Sequence, residues 1–591
     1  MSDIAALVAD SLDIWTGAIE RKSGAGRGGG KRISLYGIDR LRALILDLAV
    51  RGKLVPQDAG DEPASDLLKS IESKKPGYLS THGLPKQRAI AEPLKHLPFE
   101  LPPSWAWTRL GDIAAYIQRG KSPRYSEGSG IFVVSQRCVQ WAGLDLAVAK
   151  EISRPSLDSY EPYRFLGPDD LLWNSTGTGT IGRVIALKHV PDGLVCDSHV
   201  TVVRCPWMNA RYLQFWLASN DVYGQIEVLA AGSTNQIEWT AQLAAAQVVP
   251  VPPMAEQQRI VAKVDELMAL CDALERDSVG TMAAHQALVE ILLATLVNSA
   301  DATDPARDWA RLERHFDTLF TTDASIDALK QTILDLAVRG VLVSGMGTKE
   351  ASGNAVSLAA KAKRALSEAE GLRARRPIIR GKLARPEDSF PSHWTFTDFD
   401  SVFVTVSGVA KGQKIPSNQS VDAPYLRVAN VQRGQLNLDE IKIITVKQSD
   451  FERYQLRQGD VLMTEGGDWD KLGRAAIWGN EVPNCIHQNH VFRVRFDQSV
   501  ILPEWVVLFL NSPLGREYFS RAAKQTTNLA SINMTQLRSC PVPIPAYAEQ
   551  RRIVAKVDAL MALCDALKAR LADAAQTQRH LADAITQRAA A

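Results

Sequence analysis

The chain has 591 residues, of which 46% are hydrophobic and 23% charged, with a formal net charge of +2. These are the proportions of an ordinary soluble protein, and no uninterrupted apolar run reaches the ~18 residues of a membrane span. A nucleic-acid binder with so small a net charge must concentrate its cations locally.

Seven cysteines with no C-x-x-C pair imply reduced thiols in a cytosol. The N-terminus carries acids where a secretory signal needs a basic start, so the chain is expected to be cytoplasmic, with no membrane partner. In chain order, residues 1–36 read as an N-terminal segment. A short helix is predicted over 1–22 and a Gly-rich linker over 23–30. A first proximal helix is predicted within 37–57, ending at Gly52. Residues 58–98 are polar and Pro-punctuated, with one helix near 64–74. A first globular part spans 99–253. It alternates short β-rich runs (131–135, 182–187, 200–204) with turn clusters, and it holds a helix at 210–219. A long helix follows over 254–298, then a linker over 299–324. A second proximal helix lies in 325–343. Residues 344–388 are a linker with a basic helix near 357–376. A second globular part spans 389–545, and a closing long helix spans 546–591.

The two long helices are copies. AEQQRIVAKVDELMALCDALE starts at Ala255 and AEQRRIVAKVDALMALCDALK at Ala548, agreeing at 18 of 21 positions. In each, apolar residues recur at spacings of four and three: Ile260, Val264, Leu267, Cys271 and Leu274, then Ile553, Val557, Leu560, Cys564 and Leu567. That 4-3 seam suits side-by-side helix packing of the coiled-coil kind. Other matches follow the same frame. ILDLAVRG occurs at 45–52 and 333–340; Trp105 aligns with Trp394, Gly182-Arg183 with Gly473-Arg474, His199 with His490, and Thr234-Asn235 with Thr527-Asn528. A period of about half the chain is far beyond the ~20–50 residues of a solenoid unit, so this is domain duplication. The globular parts have diverged much further than the helices. DLLWNSTGTGTIGR at 170–183 faces DVLMTEGGDWDKLGR at 460–474. A held frame with changed surfaces suits a scaffold presenting two different readers.

These motifs resemble the DNA-specificity subunits of type I restriction–modification enzymes. The carrying residues are ILDLAVRG followed by KLVPQ (53–57), the strand exit and helix VPVPPMAEQQRIVAKVDEL, and the second copies of each. Trp105 near Arg109-Leu-Gly-Asp112 and the Gly-Ser-Thr-Asn run at 232–235 add to the match. The resemblance covers nearly the whole chain; only residues 1–36 and 345–388 match no feature of the family. It implies an α+β fold. Two α/β target-recognition domains would be separated by long antiparallel coiled-coil helices in a pseudo-two-fold duplication. Each domain would read half of a bipartite double-stranded DNA site. The helices would dock two methyltransferase subunits, and restriction/translocase subunits would complete an endonuclease complex. S-adenosylmethionine, ATP and Mg²⁺ would then belong to the partner subunits, with none held by this chain.

The chain's own motifs point away from catalysis. No Asp/Asn-Pro-Pro-Tyr/Phe motif is present, and Gly120-Lys121-Ser122 has Ala115 where a P-loop needs its first glycine. Glu465, Asp468 and Asp470 could serve a nuclease, but two of them lack counterparts in the first half. Cys196, His199 and Cys205 could suggest zinc, yet only the histidine recurs, as His490. The DNA-reading candidates lie in polar loops. They are Gln118, Arg119, Lys121, Arg124, Gln136, Arg137, Asn174, Thr178, Arg183, Thr234 and Asn235 in the first half. In the second they are Lys411, Gln413, Lys414, Arg427, Asn430, Trp469, Lys471, Arg474, Thr527 and Asn528. Cations can neutralise phosphates, and Arg, Gln and Asn can also bond G or A edges. Solvated loop charges and Asx or ST turns are the alternative reading of the same residues.

Overall fold

The computed structural model describes residues 10–22, 32–86, 94, 97–177, 179–231, 238–298, 314–343, 348–373, 375–384, 387, 390–410, 412, 415–416, 419–467, 469–525 and 529–590. The chain forms two compact units, residues 1–280 with 574–591, and residues 281–573. Each unit therefore contains a proximal helix, a globular part, and portions of both long helices.

The globular parts share one topology. In the first, a four-stranded antiparallel sheet runs in the order Val184–Ala186, Leu171–Asn174, Val200–Arg204, Tyr116–Arg119. In the second the same order is Ala475–Ile477, Val461–Thr464, Val491–Arg495, Val404–Ser407. Each also has a three-stranded sheet with one parallel pair, Val195–Cys196 on Phe132–Val134 and Ile486–His487 on Ser420–Leu426. A two-stranded ladder joins the entry and exit of each domain: Ala106–Arg109 with Val248–Val251, and Thr395–Asp398 with Pro541–Ile544. Chain entry and exit thus meet at one point, directly before a long helix. The duplicated α+β architecture is the one expected from the repeat.

That junction explains why the AEQ start of the long helices is repeated. Glu256 is fully buried and accepts the Trp105 indole N–H at 3.0 Å and the Gln57 amide at 2.6 Å. Glu549 accepts the Trp394 indole at 3.0 Å and binds His393 at 3.0 Å. Gln257 accepts the Asn209 backbone N–H at 2.9 Å and donates to Pro252 O at 3.0 Å; Gln550 does the same for Leu502 N–H and Pro545 O. Leaving a buried polar group unpaired costs about 1–3 kcal/mol, so these side chains satisfy each other only as a set. The ILDLAVRG glycine belongs to the same junction. Gly52 and Gly340 adopt φ +69° and +71°, and a Cβ would lie 2.6 Å from Pro102 and 2.5 Å from Pro391. Only glycine fits that left-handed, close-packed corner.

The 4-3 seam packs against the proximal helix of its own unit. In the second unit Ile553, Val557 and Cys564 share one apolar core with Ile326, Leu329 and Ile333 of the helix Asp323–Val338, with Leu560 and Leu567 packed at its edge. In the first unit Ile260, Val264, Leu267 and Cys271 are buried, Leu274 partly so. There Arg42 of the helix Tyr36–Val50 binds Asp272 at 2.6 Å and Glu275 at 2.7 Å. The long helices run Met254–Asn298 and Tyr547–Ala590. The first is long and apolar enough to cross a membrane by length and composition only, and its Ile260, Val264, Leu267 and Cys271 are buried.

Several predicted boundaries shift. Of the helix expected over 1–22, the described residues show Leu12–Gly17, followed by the paired strands Glu20–Lys22 and Arg32–Ser34; residues 1–9 lie outside the described residues. Gly37 caps the change, since a Cβ there would lie 2.4 Å from Trp15 O. The linker at 23–30 lies outside the described residues. The helix near 64–74 continues to Thr81 through Pro76. The basic helix runs Lys349–Ala369, earlier than its charge run. It is not an unmatched insertion but the counterpart of Ala64–Thr81. Lys75 reaches Gly111 O and Asp112 O, and Lys363 reaches Asp400 O. Buried Ala64 and Ile71 correspond to buried Ser352 and Ala359.

Candidate nucleic-acid interface

The described parts of the loops singled out in the sequence converge at one end of each four-stranded sheet. In the first unit Arg119, Asn174 and Val200 are strand ends on the same side, in register as Thr201 with Arg119 and Val200 with Asn174. In the second unit Ser407, Thr464 and Val491 play the same parts. A glycine lets each first loop cross the next strand. A Cβ on Gly120 would lie 2.2 Å from Cys196 O, and one on Gly408 1.9 Å from His487 O. The Gly-Lys-Ser sequence is thus a packing turn rather than a phosphate loop. The segment before the domain exit returns to the same end: Trp239 N–H donates to Ser175 O at 2.8 Å, and Ile532 N–H to Glu465 O at 2.9 Å.

At this end of the first unit, Arg119 is held by Ser198 O at 2.6 Å and Glu238 at 3.0 Å. Gln118 accepts from Arg164 at 3.2 Å. Lys121 binds Ser159 O at 2.5 Å and Glu161 at 3.4 Å. Gln136 accepts the Thr176 hydroxyl at 3.2 Å, and Thr176 also meets His199 Nδ1 at 2.7 Å. Arg124 and Arg137 extend into solvent. Asp197 lies beneath, its carboxyl raised above the usual range by burial, against the opposing pull of the His199 backbone N–H. In the second unit Arg427 binds Glu440 at 3.0 Å, Trp469 is 46% exposed on a tight turn, and the Thr464 hydroxyl donates to Lys471 O at 2.5 Å. Glu465 and His490 pair at 2.7 Å.

Four candidates have a structural task instead. Asn174 is fully buried and donates to Gln136 O and Thr180 O at 2.9 and 3.1 Å. Asn430, 3% exposed, accepts Arg427 N–H and donates to Asn437 O and Glu440 O. Neither amide can reach a base without unravelling its loop. Arg183 bonds Gln140 at 2.6 Å and Gly179 O at 2.8 Å. Arg474, 9% exposed, bonds Gln432 at 2.6 Å and also Asp470. These arginines tie two loops together, which accounts for the repeated Gly-Arg pair. Thr178, Thr234, Asn235, Lys411, Gln413, Lys414, Thr527 and Asn528 lie outside the described residues.

Arg433, which the sequence reading did not single out, lies at the same end. Its guanidinium donates to Asp470 O and Leu472 O at 3.2 and 3.3 Å. Burial, then the nearby Arg516, pushes its pKa down to about 10. The signal was its place in the strand-end run Asn430–Gly434. Of the residues that could suggest zinc, the His199 ring meets the Thr176 hydroxyl at 2.7 Å, and Cys196 and Cys205 are buried.

A family profile described as the type I restriction modification DNA specificity domain matches residues 391–576. Over 594 residues the chain is 32% identical to the type I restriction enzyme EcoEI specificity subunit of Escherichia coli, covering 99% of both. It is 33% identical to the EcoAI specificity subunit of the same species over 611 residues, again 99% of both. The chain belongs to the type I restriction enzyme specificity subunits. A crystal structure of the HsdS subunit from Thermoanaerobacter tengcongensis is 18% identical, with a TM-score of 0.40 over 83% of this chain and 98% of that one. As a type I specificity subunit the chain is a DNA target-recognition component. The converging loops at the two sheet ends are where this fold brings polar and cationic side chains together.

Proposed function

We propose that the two globular parts are target-recognition domains that each read one half of an asymmetric, bipartite double-stranded DNA site. The observation that carries this reading is the pairing of one topology with two different loop sets at the same sheet end. Arg119, Lys121, Arg124, Gln136 and Arg137 serve the first half-site, and Arg427, Trp469, Lys471 and Arg433 the second. Paired arginines such as Arg119 are held ready for phosphates or base edges by partners they exchange on binding. The chain contributes recognition only. Adenine methylation and cleavage take place on two methyltransferase subunits and on restriction/translocase subunits, which hold S-adenosylmethionine, ATP and Mg²⁺. Exposed apolar residues on the long helices support a docking role: Leu270, Val279, Leu288, Ile291 and Leu563 are 42–64% exposed. All seven cysteines are free and buried, which supports a reducing cytoplasm.

The test is to replace residues 99–253 with a second copy of 389–545 and map methylated adenines in a host supplying the methyltransferase. A palindromic target built from one original half-site is expected. An active chimera that still recognises the original first half-site overturns the assignment.

A further inference from the structure

The helix Lys349–Ala369 and the segment after it enclose a cavity of about 360 Å³ against the second recognition domain. Its wall is cationic: Lys363, Arg364, Arg373 and Arg375 stand against only Glu368 and Asp400. Asp400 is already engaged, bound by Arg538 at 2.8 and 2.9 Å with Lys363 at 3.8 Å. Arg375 is anchored on Thr405, donating to its hydroxyl at 3.1 Å and its carbonyl at 2.8 Å. Burial and then the neighbouring Arg538 push its pKa below the ordinary value. Arg364, Arg373 and Arg375 are exposed and Lys363 half-buried, and with the half-buried Asp400 carboxylate bound by Arg538 the wall is left with a deficit of negative charge.

The first unit has the same helix but not the same wall. Lys363 corresponds to Lys75, whereas Arg364, Glu368 and Arg373 correspond to Pro76, Ser80 and Pro85. The cavity adjoins Val404 and Thr405, at the start of the strand whose far end, Ser407, carries a reading loop. It therefore lies away from the base-reading loops.

We propose that this cavity is a phosphate-binding site, occupied by a phosphate of the DNA backbone outside the target sequence or by that of a free nucleotide. Its volume falls in the range of small-ligand sites, about 300–1,000 Å³. Arginine forks match phosphate geometry, and the Ser367 and Thr405 hydroxyls line the same wall. The DNA source rests on the proposed function; the nucleotide source does not.

The experiment uses the full chain, an Arg364→Ala/Arg373→Ala double variant, and an Arg154→Ala variant as a control for general charge loss. Arg364 and Arg373 are exposed, so their loss leaves the fold in place. One arm titrates ATP and pyrophosphate in the absence of DNA. The other measures binding across a salt series to a duplex with long flanks and to one trimmed to the target. A nucleotide source predicts parental binding of ATP or pyrophosphate, weakened roughly tenfold or more in the double variant by loss of two charge-assisted contacts. A DNA source predicts that the salt slope for the long duplex falls by about 2 in the double variant, ~0.9 per lost phosphate contact. The trimmed duplex and the control stay unchanged. The proposal is overturned if the parent binds neither small anion and the double variant keeps the parental slope. Failure of the functional reading shows separately, as a parent that binds target and scrambled duplexes alike; the slope comparison still decides the phosphate site.

Discussion

The two recognition domains build their four-stranded sheets from strands in the same order, yet their cores hold charge differently. In the first, Arg204 meets Asp170 at 2.6 and 2.7 Å, and its neighbour two residues back is Val202. In the second, Arg495 meets Asp460 at 2.7 and 2.6 Å, but the residue two back is Arg493, 1% exposed. Both Arg493 and Arg495 also bind Glu370, from the turn ending the helix Lys349–Ala369. The position of Glu370 corresponds to His82 in the first unit. Cys196 of the first strand pair is replaced by His487, fully buried, its Nδ1 donating to Val491 O at 2.7 Å. The junction Trp, Glu and Gln and the core Asp–Arg pair were kept, and the charges set around that pair were not. A shared topology therefore constrains the backbone groups each domain must satisfy, and leaves the interior polarity to vary wherever a partner varies with it.

The sharpest way to break this comparison is to remove Glu370. Glu370→Ala leaves Arg493 in the core without its carboxylate, and breaking a buried pair by removing one partner costs about 3–5 kcal/mol. The loss falls on the second unit alone. Hydrogen exchange, read unit by unit because a two-unit chain is not a single two-state system, is expected to show protection lost in residues 349–369 and 491–495. Equal loss in the first unit, or none in the second, contradicts the network's role.

Acid separates the units next. Burial, with Arg493 and Arg495 beside it, pushes the His487 pKa down from 6.5 to about 3. The folded unit holds the ring neutral, so this contribution is complete above about pH 6.5 and is lost as pH falls toward 3. At pH 5 that is about 2 kcal/mol, at ~1.4 kcal/mol per unit. Asp197 in the first unit goes the other way. Its carboxyl is raised by burial, so ionising it opposes folding at neutral pH and the penalty is relieved as pH falls through the raised value. Thermal unfolding at pH 7 and pH 5 is expected to show the second unit weakening more. His487→Cys, the first unit's solution at that site, should flatten the difference.

A smaller effect probes the shared junction. Gln257→Ala and Gln550→Ala each strand one buried backbone N–H and one carbonyl, about 1–3 kcal/mol. If the junctions are equivalent, the two losses agree closely when each is read in its own unit.

What was legible in the sequence follows from the same contrast. The junction is written in side chains that satisfy fixed backbone groups, so AEQ, Trp105/Trp394 and the ILDLAVRG glycine repeat nearly unchanged. Of the sheets, only β-rich runs such as 182–187 and 200–204 could be read; their order rests on pairings between strands far apart in the chain. The pairing of Ala64–Thr81 with Lys349–Ala369 could not be read. Its contacts use buried residues that differ between the copies (Ala64 and Ser352, Ile71 and Ala359) and one lysine aimed at carbonyl oxygens, which any helix of suitable length can supply. Asn174 and Asn430 look like readers in sequence because amides serve base edges and loop closure equally well. Only their burial separates the two roles.

The smallest expected effect concerns the residue that departs from the repeat most sharply, Glu275 against Lys568. On the first unit Arg42 binds Asp272 and Glu275. On the second, Lys330 binds Asp565 and Lys568 binds Asp327. Asp39 and Asp327 are the same position, as are Arg42 and Lys330, so the substitution moves the pairing from the proximal cation to the proximal acid. These groups are partly exposed, Glu275 at 45% and Asp327 at 61%, and such pairs contribute about 0.2–1 kcal/mol. Lys568→Glu sets like charges at Asp327 and is expected to weaken the second unit by that amount. Adding Asp327→Lys should restore it, with a coupling of about 0.5 kcal/mol in a double-mutant cycle. The coupling should shrink with added salt. A cycle that closes to zero would mean that the conserved seam alone aligns each proximal helix, and that position 568 is free to vary.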